Sequence, residues 1–348
     1  MATFNPVGVL GAGSFGTAIA NLLALNADVL LFSRKPEIVE AINQTHTHLG
    51  VSLSPRIRAT GDLEELAKRC LLIYPIVPSN SFREMVQSLA PYLRPHHIVI
   101  HGTKGLDIRG MEEADLKRPG ISLSRQQVRT MSEVLMEESS VVRVGCLSGP
   151  NLAAEMMAGQ PAATLVGSRF REVIQAGQSS LNSHKFHVFG SYDILGAELA
   201  GALKNIIALG SGVLGGLGWG RNIQGLLIAR GLAEMIYFGK ALGASSQAFV
   251  GVAGIGDLVA TATSVNSRNY SFGLRLAKGE TAEAIRTTMP ELAEGVRTLH
   301  IAHALAKHYK LHVPITDTLY AVVFENFPIE KALEYLMAYP YSVDVDFI

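Results

Sequence analysis

Lys204 lies in a sequence context that could support proton transfer. Its neighbours at helical spacings of three and four residues are small or apolar: Ala200, Gly201, Ile207 and Ala208. An ammonium group loses its hydration on such a face, and a lysine is rarely buried without a partner. Burial, or a nearby cation such as Lys104, would lower the pKa of Lys204 towards the range useful for general acid catalysis. A lysine that extends to solvent at the helix edge fits the pattern equally well.

Lys104 follows an apolar run, Ile98 to His101, that is typical of a buried strand. Ligands of open α/β sheets bind beyond the carboxyl ends of the strands. A lysine between Gly102 and Gly105 can therefore bind a substrate oxygen or phosphate. The alternative is an ordinary exposed loop lysine.

A third set of polar residues lies in the second half of the chain, at Asp257 and in the triplet Ser267-Arg268-Asn269. The pattern predicts that Ser267 caps a helix, so that Arg268 and the first helical N–H groups bind a phosphate. We expect Asp257 to pair with Lys204 or to hold substrate hydroxyls. A plain turn aspartate and an ordinary helix cap are the alternatives.

The glycines of a GxGxxG motif, Gly11, Gly13 and Gly16, lie between a predicted strand and a predicted helix. In this motif the first glycine permits a tight turn, and the second lets the backbone approach a pyrophosphate. The third allows close packing of helix on strand. The helix N-terminus adds free N–H groups and a positive dipole. The motif predicts a dinucleotide cofactor, with a ligand-free glycine turn as the alternative.

The residues Ser33-Arg34-Lys35, at the end of the second predicted strand, indicate the type of cofactor. An acidic residue about 20 positions after the motif would bind the ribose 2′-hydroxyl of NAD. Two cations stand there instead, and they suit the 2′-phosphate of NADP. We expect NADP or NAD as cofactor, with NADP favoured by Arg34. Solvated loop charges are the alternative for this pair.

The composition narrows the class of protein. The chain has 348 residues, with 30 basic and 30 acidic side chains, so its formal net charge is zero. Nucleic-acid binding would require a basic excess, and we expect no nucleic-acid partner. Two distant cysteines, Cys70 and Cys146, favour a reducing compartment. No signal peptide or membrane span is predicted, and cytoplasm is the expected location.

Three histidine pairs, His46/His48, His96/His97 and His184/His187, lack nearby carboxylate or cysteine partners. We therefore predict no metal site and interpret these histidines as surface residues.

The elements that position these residues divide the chain into two parts. Apolar runs alternate with helical patterns up to about residue 190, which indicates a Rossmann-type, mostly parallel sheet covered on both faces. Beyond it, Ala/Leu/Gly-rich patterns predict helices only. We expect a dinucleotide-binding domain at 1–190 and an all-α substrate and catalytic domain at 191–348. The polar segment Arg109 to Glu138 is interpreted as a surface excursion with one helix.

Taken together, ordered segments of the chain resemble the bacterial NAD(P)-dependent glycerol-3-phosphate dehydrogenases over nearly its whole length. In the first half these are GAGSFGTA (Gly11 to Ala18), VPS (Val77 to Ser79), TKGLD (Thr103 to Asp107) and SGPNLAAE (Ser148 to Glu155). In the second half they are ELAGALKNIIALGSG (Glu198 to Gly212), ARGLAEM (Ala229 to Met235), GIGDLVAT (Gly254 to Thr261), SRN (Ser267 to Asn269) and AEG (Ala293 to Gly295).

The resemblance implies NAD(P)H-dependent reduction of dihydroxyacetone phosphate to sn-glycerol 3-phosphate, which supplies phospholipid synthesis. It implies a proton-transfer lysine at Lys204, assisted by Lys104, Asn205, Asp257 and Thr261. Substrate contacts fall at Lys104, Gly149, Asn151, Lys204, Asp257, Ser267, Arg268 and Asn269. Cofactor contacts fall at Gly11, Gly13, Ser14, Phe15, Gly16, Arg34, Lys35, Lys104, Ala153, Arg268, Leu292 and Glu294.

Three features depart from the family pattern. Asn151 stands where many members have threonine, the stretch between Lys104 and Ser148 is longer, and Tyr74-Pro75 interrupts an apolar strand. Two alternatives remain open. One is a related β-hydroxyacid dehydrogenase or ketopantoate-type reductase, and the other is a non-catalytic dinucleotide sensor. Beyond a small phosphorylated substrate, a homodimer is left open as a partner.

Overall fold

The computed structural model describes residues 4–118, 120–289, 291 and 293–340. The chain separates into two compact units. The first comprises Met1–Asp107 and Thr130–Ala197, and the second comprises Ile108–Arg129 and Glu198–Ile348. The predicted cofactor contact Leu292 lies outside the described residues.

The first unit is built on an eight-stranded sheet. Its strands are β1 (Val7–Leu10), β2 (Val29–Phe32), β5 (Ile57–Thr60), β6 (Leu72–Pro75), β7 (Ile98–His101), β10 (Arg143–Ser148), β11 (Ala162–Gly167) and β12 (Phe186–Ser191). They lie in the order β5-β2-β1-β6-β7-β10-β11-β12, and the first six follow the 3-2-1-4-5-6 arrangement of dinucleotide-binding sheets. Within this sheet, β10 and β11 pair antiparallel and the other described strand pairs are parallel, so the predicted mostly parallel sheet is confirmed.

Two further strand pairs are short. β3 (Thr47–His48) pairs antiparallel with β4 (Val51–Ser52), and β8 (Asp107–Ile108) pairs with β9 (Val128–Arg129). The sequence predicted neither pair, nor the edge strand β5. Two-residue strands are too short to show an alternating pattern.

Helices cover both faces of the sheet. They are α1 (Ser14–Leu23), α2 (Pro36–Thr45), α3 (Leu63–Arg69), α4 (Phe82–Leu89), α5 (Met131–Glu138), α6 (Ala153–Met157) and α7 (Arg171–Leu181). One hydrophobic cluster joins α1, α2, α6 and α7 to one face, and a second joins α3, α4 and α5 to the other. Alternation along a strand explains the division, since Val9 lies in the first cluster and Leu10 in the second.

The Tyr74-Pro75 pair, expected to interrupt its strand, is part of β6. Tyr74 is fully buried, and its hydroxyl is hydrogen-bonded to the Ser180 hydroxyl at 2.8 Å. Pro75 remains in register with Leu10 of β1. The tyrosine is tolerated because its polar end has a partner in the core.

The second unit is helical apart from its part of the β8–β9 ladder. Its helices are α8 (Ile194–Gly216), α9 (Arg221–Ala241), α10 (Asp257–Ala262), α11 (Arg268–Ala277), α12 (Ala282–Thr288), α13 (Glu294–Tyr309), α14 (Pro314–Phe324) and α15 (Ile329–Met337). The first four residues of α8 belong to the first unit. Among the described residues, α8 is the one helix long and apolar enough to cross a membrane, and 89% of its most apolar window is buried within the protein.

The segment Ile108–Arg129 groups with the helical unit. The Leu123 backbone N–H donates to the Ala304 carbonyl at 3.1 Å, and the Arg125 N–H donates to the Tyr309 hydroxyl at 3.0 Å. Leu116, Leu123 and Val128 are buried. The interpretation of this stretch as a surface excursion is therefore wrong for these residues, because its few apolar side chains anchor it to the core.

Candidate active site

The GxGxxG motif, Gly11 to Gly16, forms the turn from β1 into α1 and is called the glycine loop below. Gly11 has φ +112°, and a Cβ on it would collide with the carbonyl oxygen of Ile76. A Cβ on Gly16 would collide with the Gly11 carbonyl oxygen. A Cβ on Gly13 would meet no atom within 4 Å. Internal packing therefore requires glycine at positions 11 and 16. At position 13 the missing side chain leaves the backbone accessible to a ligand.

The glycine loop fits the pyrophosphate of a nicotinamide dinucleotide. α1 begins at Ser14, so the first backbone N–H groups of this helix lie at the glycine loop. Such N–H groups, with the helix dipole, form an anion-binding site. Arg34 and Lys35 lie just beyond β2, after Ser33, and are exposed, as binding of a ribose 2′-phosphate would require.

One residue near this loop was misinterpreted from the sequence. His48 is half-buried, and its Nε2 is hydrogen-bonded to the Ala12 carbonyl at 2.7 Å. The sequence pattern carries no signal for this contact, because β3 is far from the motif along the chain. His97 is also buried, against the surface prediction, and its Nε2 lies 2.9 Å from the Ala67 carbonyl.

Lys104 lies in the loop after β7, as the sequence predicts. Its Nζ donates to the Gly149 carbonyl at 2.8 Å, and the Thr103 hydroxyl donates to the Val77 carbonyl at 2.6 Å. Three of the family-like segments of the first half are thus joined by hydrogen bonds from side chains to backbone carbonyls. Asp107, at the end of the loop, accepts a hydrogen bond from Arg83 at 2.7 Å. Arg83 was not singled out from the sequence, because it lies on a different element.

Asn151 and Ala153 lie near the start of α6. The Asn151 amide donates to the Ala163 carbonyl at 2.9 Å, and its oxygen accepts from the Thr164 hydroxyl at 2.8 Å. The Asn151 side chain is thus bound to β11. Ala153 is the first residue of α6 and is half-buried. A substrate contact at Asn151 and a cofactor contact at Ala153 stay predictions.

In the second unit, Lys204 is buried near the middle of α8, with 4% of its surface exposed. The alternative in which it extends to solvent is wrong. Its Nζ donates to the Asp257 carboxylate and to the Thr261 hydroxyl. We call Lys204, Asp257 and Thr261 the lysine centre. A buried ammonium requires such partners, since an unpaired charge in the core is strongly unfavourable.

Local structure brings Asp257 and Thr261 to the same lysine. They are one helical turn apart in α10, so both face α8. A π-helical turn, Val252–Gly256, leads directly into α10. A Cβ on Gly254 in this turn would collide with the Phe249 carbonyl, which explains a glycine of the GIGDL segment. Single π-helical turns are frequent at functional sites.

Asn205 is hydrogen-bonded to the N-terminal end of α11, which is linked in turn to the N-terminal end of α13. Its Oδ1 accepts from the Asn269 amide of α11 at 2.9 Å. The Asn269 Oδ1 accepts from the Gly295 N–H of α13 at 2.8 Å. A Cβ on Gly295 would press against the Asn205 carbonyl, which accounts for the glycine of the AEG segment. This chain of amides fixes the starts of α11 and α13 beside α8.

Ser267 caps α11 as predicted, with its hydroxyl accepting from the Tyr270 N–H at 3.3 Å. Arg268, the first residue of α11, is about half exposed and pairs with Glu291 at 2.9 Å. Its position at a helix N-terminus suits a phosphate, because a guanidinium and the first N–H groups of a helix both bind anions. Glu294 is the first residue of α13 and is half-buried.

A buried carboxyl of this unit, outside the lysine centre, was not predicted. Glu234 of α9 accepts from the Ile315 N–H at 2.6 Å and from the Thr316 N–H and hydroxyl at 3.0 and 2.7 Å. It therefore caps α14 from a neighbouring helix. Burial raises the pKa of its carboxyl to about 7 despite these bonds. The sequence offers no local signal, since a carboxylate 81 residues away replaces the usual capping side chain.

An apolar cavity of about 150 Å³ lies between α8, α9, α14 and α15. Its lining includes Leu214, Leu226, Leu319 and Met337, and it contains none of the predicted site residues. The cavity is thus separate from the lysine centre. Among the described residues, no group of three or more histidine, cysteine, aspartate or glutamate side chains is arranged to hold a metal ion.

Comparison with known proteins identifies the family. A family model described as the NAD-dependent glycerol-3-phosphate dehydrogenase N-terminus matches residues 6–174, and the model of its C-terminus matches residues 193–334. The chain is 37% identical to the glycerol-3-phosphate dehydrogenase [NAD(P)+] of Ectopseudomonas mendocina (strain ymp), over 100% of this chain and 98% of that protein. The chain belongs to the NAD-dependent glycerol-3-phosphate dehydrogenase family.

Solved structures agree with this family. The crystal structure of glycerol-3-phosphate dehydrogenase from Coxiella burnetii has a TM-score of 0.85 at 28% identity, over 97% of this chain and 100% of that chain. A ketopantoate reductase from Ralstonia eutropha JMP134 has a TM-score of 0.58 at 15% identity, over 91% of this chain and 96% of that one. That second likeness shows a shared fold alone, so the ketopantoate-type alternative is not favoured.

Proposed function

We propose that this glycerol-3-phosphate dehydrogenase family member reversibly reduces dihydroxyacetone phosphate to sn-glycerol 3-phosphate with NADPH or NADH. The observation that carries the proposal is the buried lysine centre of a chain that matches the family end to end. A buried ammonium that is held by two hydrogen-bond partners is positioned to donate a proton. A non-catalytic dinucleotide sensor would not require such a group. The two units divide the work: the first is the dinucleotide-binding domain, and the helical second unit supplies the proton donor.

When bound, the reduced nicotinamide supplies the hydride that reduces the C2 carbonyl of the substrate. Lys204 donates a proton from Nζ to the C2 oxygen, which completes the alcohol. Asp257 and Thr261 hold Nζ in one orientation, and Asn205 orients the same oxygen. Lys104 is a further proposed substrate contact that polarises or orients a substrate oxygen. Fixed donors of this kind stabilise developing charge without reorganisation during the reaction.

The phosphate end of the substrate is assigned to α11. Arg268 donates to phosphate oxygens, and Ser267 and Asn269 mark the helix start. Gly149 and Asn151 are further proposed substrate contacts. The proposed dinucleotide contacts are the glycine loop, including Ser14 and Phe15, and the residues Arg34, Lys35, Lys104, Ala153, Arg268, Leu292 and Glu294. The two exposed cations after β2 favour NADP over NAD.

A substrate panel tests the proposal. Oxidation of NADPH and NADH is followed with dihydroxyacetone phosphate, ketopantoate and a β-keto acid at equal concentrations. We expect turnover of the phosphorylated ketone only. Preferred turnover of a carboxylated ketone would transfer the chain to the hydroxyacid-dehydrogenase or ketopantoate class. Dinucleotide binding without turnover of any ketone would identify a sensor.

We further propose a cytoplasmic homodimer that supplies the glycerol phosphate backbone of phospholipids. Leu226 and Met337 line the apolar cavity and are about half exposed, and such contiguous apolar surface commonly marks an interface. Sedimentation analysis is expected to show a dimer that Leu226→Glu dissociates. Leu25→Glu, at an exposed leucine of the first unit, is the control. A monomeric native protein would exclude the dimer.

A further inference from the structure

The carbonyl of Ala262, the last residue of α10, is held by two buried side chains of other helices. The Ser211 hydroxyl of α8 donates to it at 2.6 Å, and the Gln224 amide of α9 donates to it at 3.1 Å. The same amide also donates to the Ser211 oxygen at 2.7 Å. We call Ser211, Gln224 and this carbonyl the Ala262 anchor.

The Ala262 anchor supplies hydrogen-bond donors to a backbone carbonyl that has no donor within α10. The last carbonyls of a helix have no intrahelical donor, and they need other partners when they are buried. Ser211 is fully buried, and Gln224 has 7% of its surface exposed. The Gln224 oxygen is engaged as well, because it accepts from Arg221 at 2.7 Å. Both polar atoms of the Gln224 side chain therefore form hydrogen bonds.

The anchor and the lysine centre lie on the same face of α8. Lys204 and Ser211 are seven residues apart, which is about two turns at 3.6 residues per turn. α10 meets this face twice, because Asp257 and Thr261 bind Lys204 while the adjacent Ala262 binds Ser211. The helix α10, which has six residues, is thus bound to α8 at two positions along the axis of α8.

Burying a glutamine and a serine is less favourable than burying apolar side chains of similar size. Neither residue has a part in the proposed hydride or proton transfer. Their bonds do, however, restrict the one helix that carries both partners of Lys204. Sub-ångström placement of a proton donor has large effects on rate, so such supporting contacts are functionally important.

We propose that Ser211 and Gln224 are positioning residues, which hold α10 so that Asp257 and Thr261 keep the Lys204 ammonium correctly oriented. This inference rests on the proposed role of Lys204 as proton donor.

The test is a double-mutant cycle with Ser211→Ala and Gln224→Met. Each single variant leaves one donor on the Ala262 carbonyl, so kcat should stay within about threefold of the native value. The double variant removes both donors, and kcat should fall by roughly 10- to 100-fold, far more than the product of the single effects. KM for the dinucleotide should change little. The pH profile of kcat should shift, because the surroundings of the Lys204 ammonium change.

Thr263→Val is the matched control. The Thr263 hydroxyl donates to the Val259 carbonyl at 2.8 Å, and Thr263 directly follows α10 but has no such bond to α8 among the contacts the structure gives for it. We expect native kcat and an unshifted pH profile for this variant. The positioning role would be overturned if the effects of Ser211→Ala and Gln224→Met on kcat were simply additive and the double variant kept the native pH profile of kcat.

Two further variants keep the test decisive. If the double variant does not fold, Gln224→Glu serves instead, because a carboxylate of the same shape takes the Ser211 hydroxyl and leaves the Ala262 carbonyl without donors. Near-native kcat in Gln224→Glu would then overturn the inference. The variant Lys204→Ala separates the two proposals. Native turnover in Lys204→Ala would contradict the role of Lys204 as proton donor. Slow turnover in Lys204→Ala, together with native turnover in the Ser211→Ala, Gln224→Met double variant, would contradict only the positioning role of the Ala262 anchor.

Discussion

The glycine loop and the lysine centre hold their functional groups in different ways. The loop offers backbone N–H groups, and its geometry is set within six consecutive residues whose missing side chains allow the turn. The lysine centre offers one charged side chain, whose partners lie 53 and 57 residues away in the sequence. A local site of this kind tolerates little change in its own residues, whereas a long-range site depends also on distant supports. The comparison makes the following expectations testable.

The largest effect is expected at the lysine centre. Lys204→Ala should lower kcat by about 10²–10⁴-fold, the usual scale for a lost general acid, while dinucleotide binding persists. Steady-state kinetics and a fluorescence titration with NADPH measure the two quantities separately. Turnover near the native rate would exclude Lys204 as the proton donor. Because Asp257 then lacks its buried partner, the melting temperature should be recorded beside the kinetics.

Within the glycine loop, two substitutions should separate packing from ligand approach. Gly16→Ala places a Cβ against the Gly11 carbonyl and should lower the free energy of unfolding by about 1–3 kcal/mol. Gly13→Ala meets no protein atom and should leave stability unchanged, while dinucleotide affinity falls by roughly 10- to 100-fold. Denaturant unfolding and dinucleotide titration of both variants provide the measurement. Equal loss of stability in the two would contradict this division.

Arg268→Ala should raise KM for dihydroxyacetone phosphate by about 10-fold or more, because a charge-assisted hydrogen bond to phosphate is lost. Its effect on kcat should be smaller than that of Lys204→Ala. Arg275→Ala is the matched control, since Arg275 lies on the same helix but pairs with Glu280. An unchanged KM in Arg268→Ala would place the phosphate site elsewhere.

The smallest effect on catalysis is expected at Glu234, which is buried but remote from the proposed chemistry. Its pKa is about 7 in the folded protein against an ordinary value of 4.5. The folded state therefore binds more protons between these values, and the free energy of unfolding should fall as pH rises from about 4.5 to about 7, by at most about 3 kcal/mol. Glu234→Gln should flatten this slope in denaturant unfolding at several pH values. An unchanged slope would show that other groups control it.

Much of the fold followed from the sequence. The runs at β1, β2 and β7 are continuous and apolar, which is typical of parallel strands buried on both faces, and the glycine spacing identified the first turn. The edge strand β5 was missed because the exposed Arg58 interrupts its apolar run. The β3–β4 and β8–β9 pairs were missed because two-residue strands show no periodicity. The anchoring of Leu123 was missed because a single apolar residue in a polar segment does not reveal its partner.

The candidate site shows the same limit. The sequence by itself determined which residue types carry the chemistry: the glycines of the loop, the lysine on an apolar helical face, and the serine and arginine that open α11. Helical and strand periods act over a few residues, and so they determine such local features. Only the tertiary structure decided that Lys204 is buried against Asp257 and Thr261, that Glu234 caps a distant helix, and that Ser211 and Gln224 share one carbonyl. Those outcomes depend on how far-separated helices pack, and the desolvation of each polar group is offset only by partners that packing supplies.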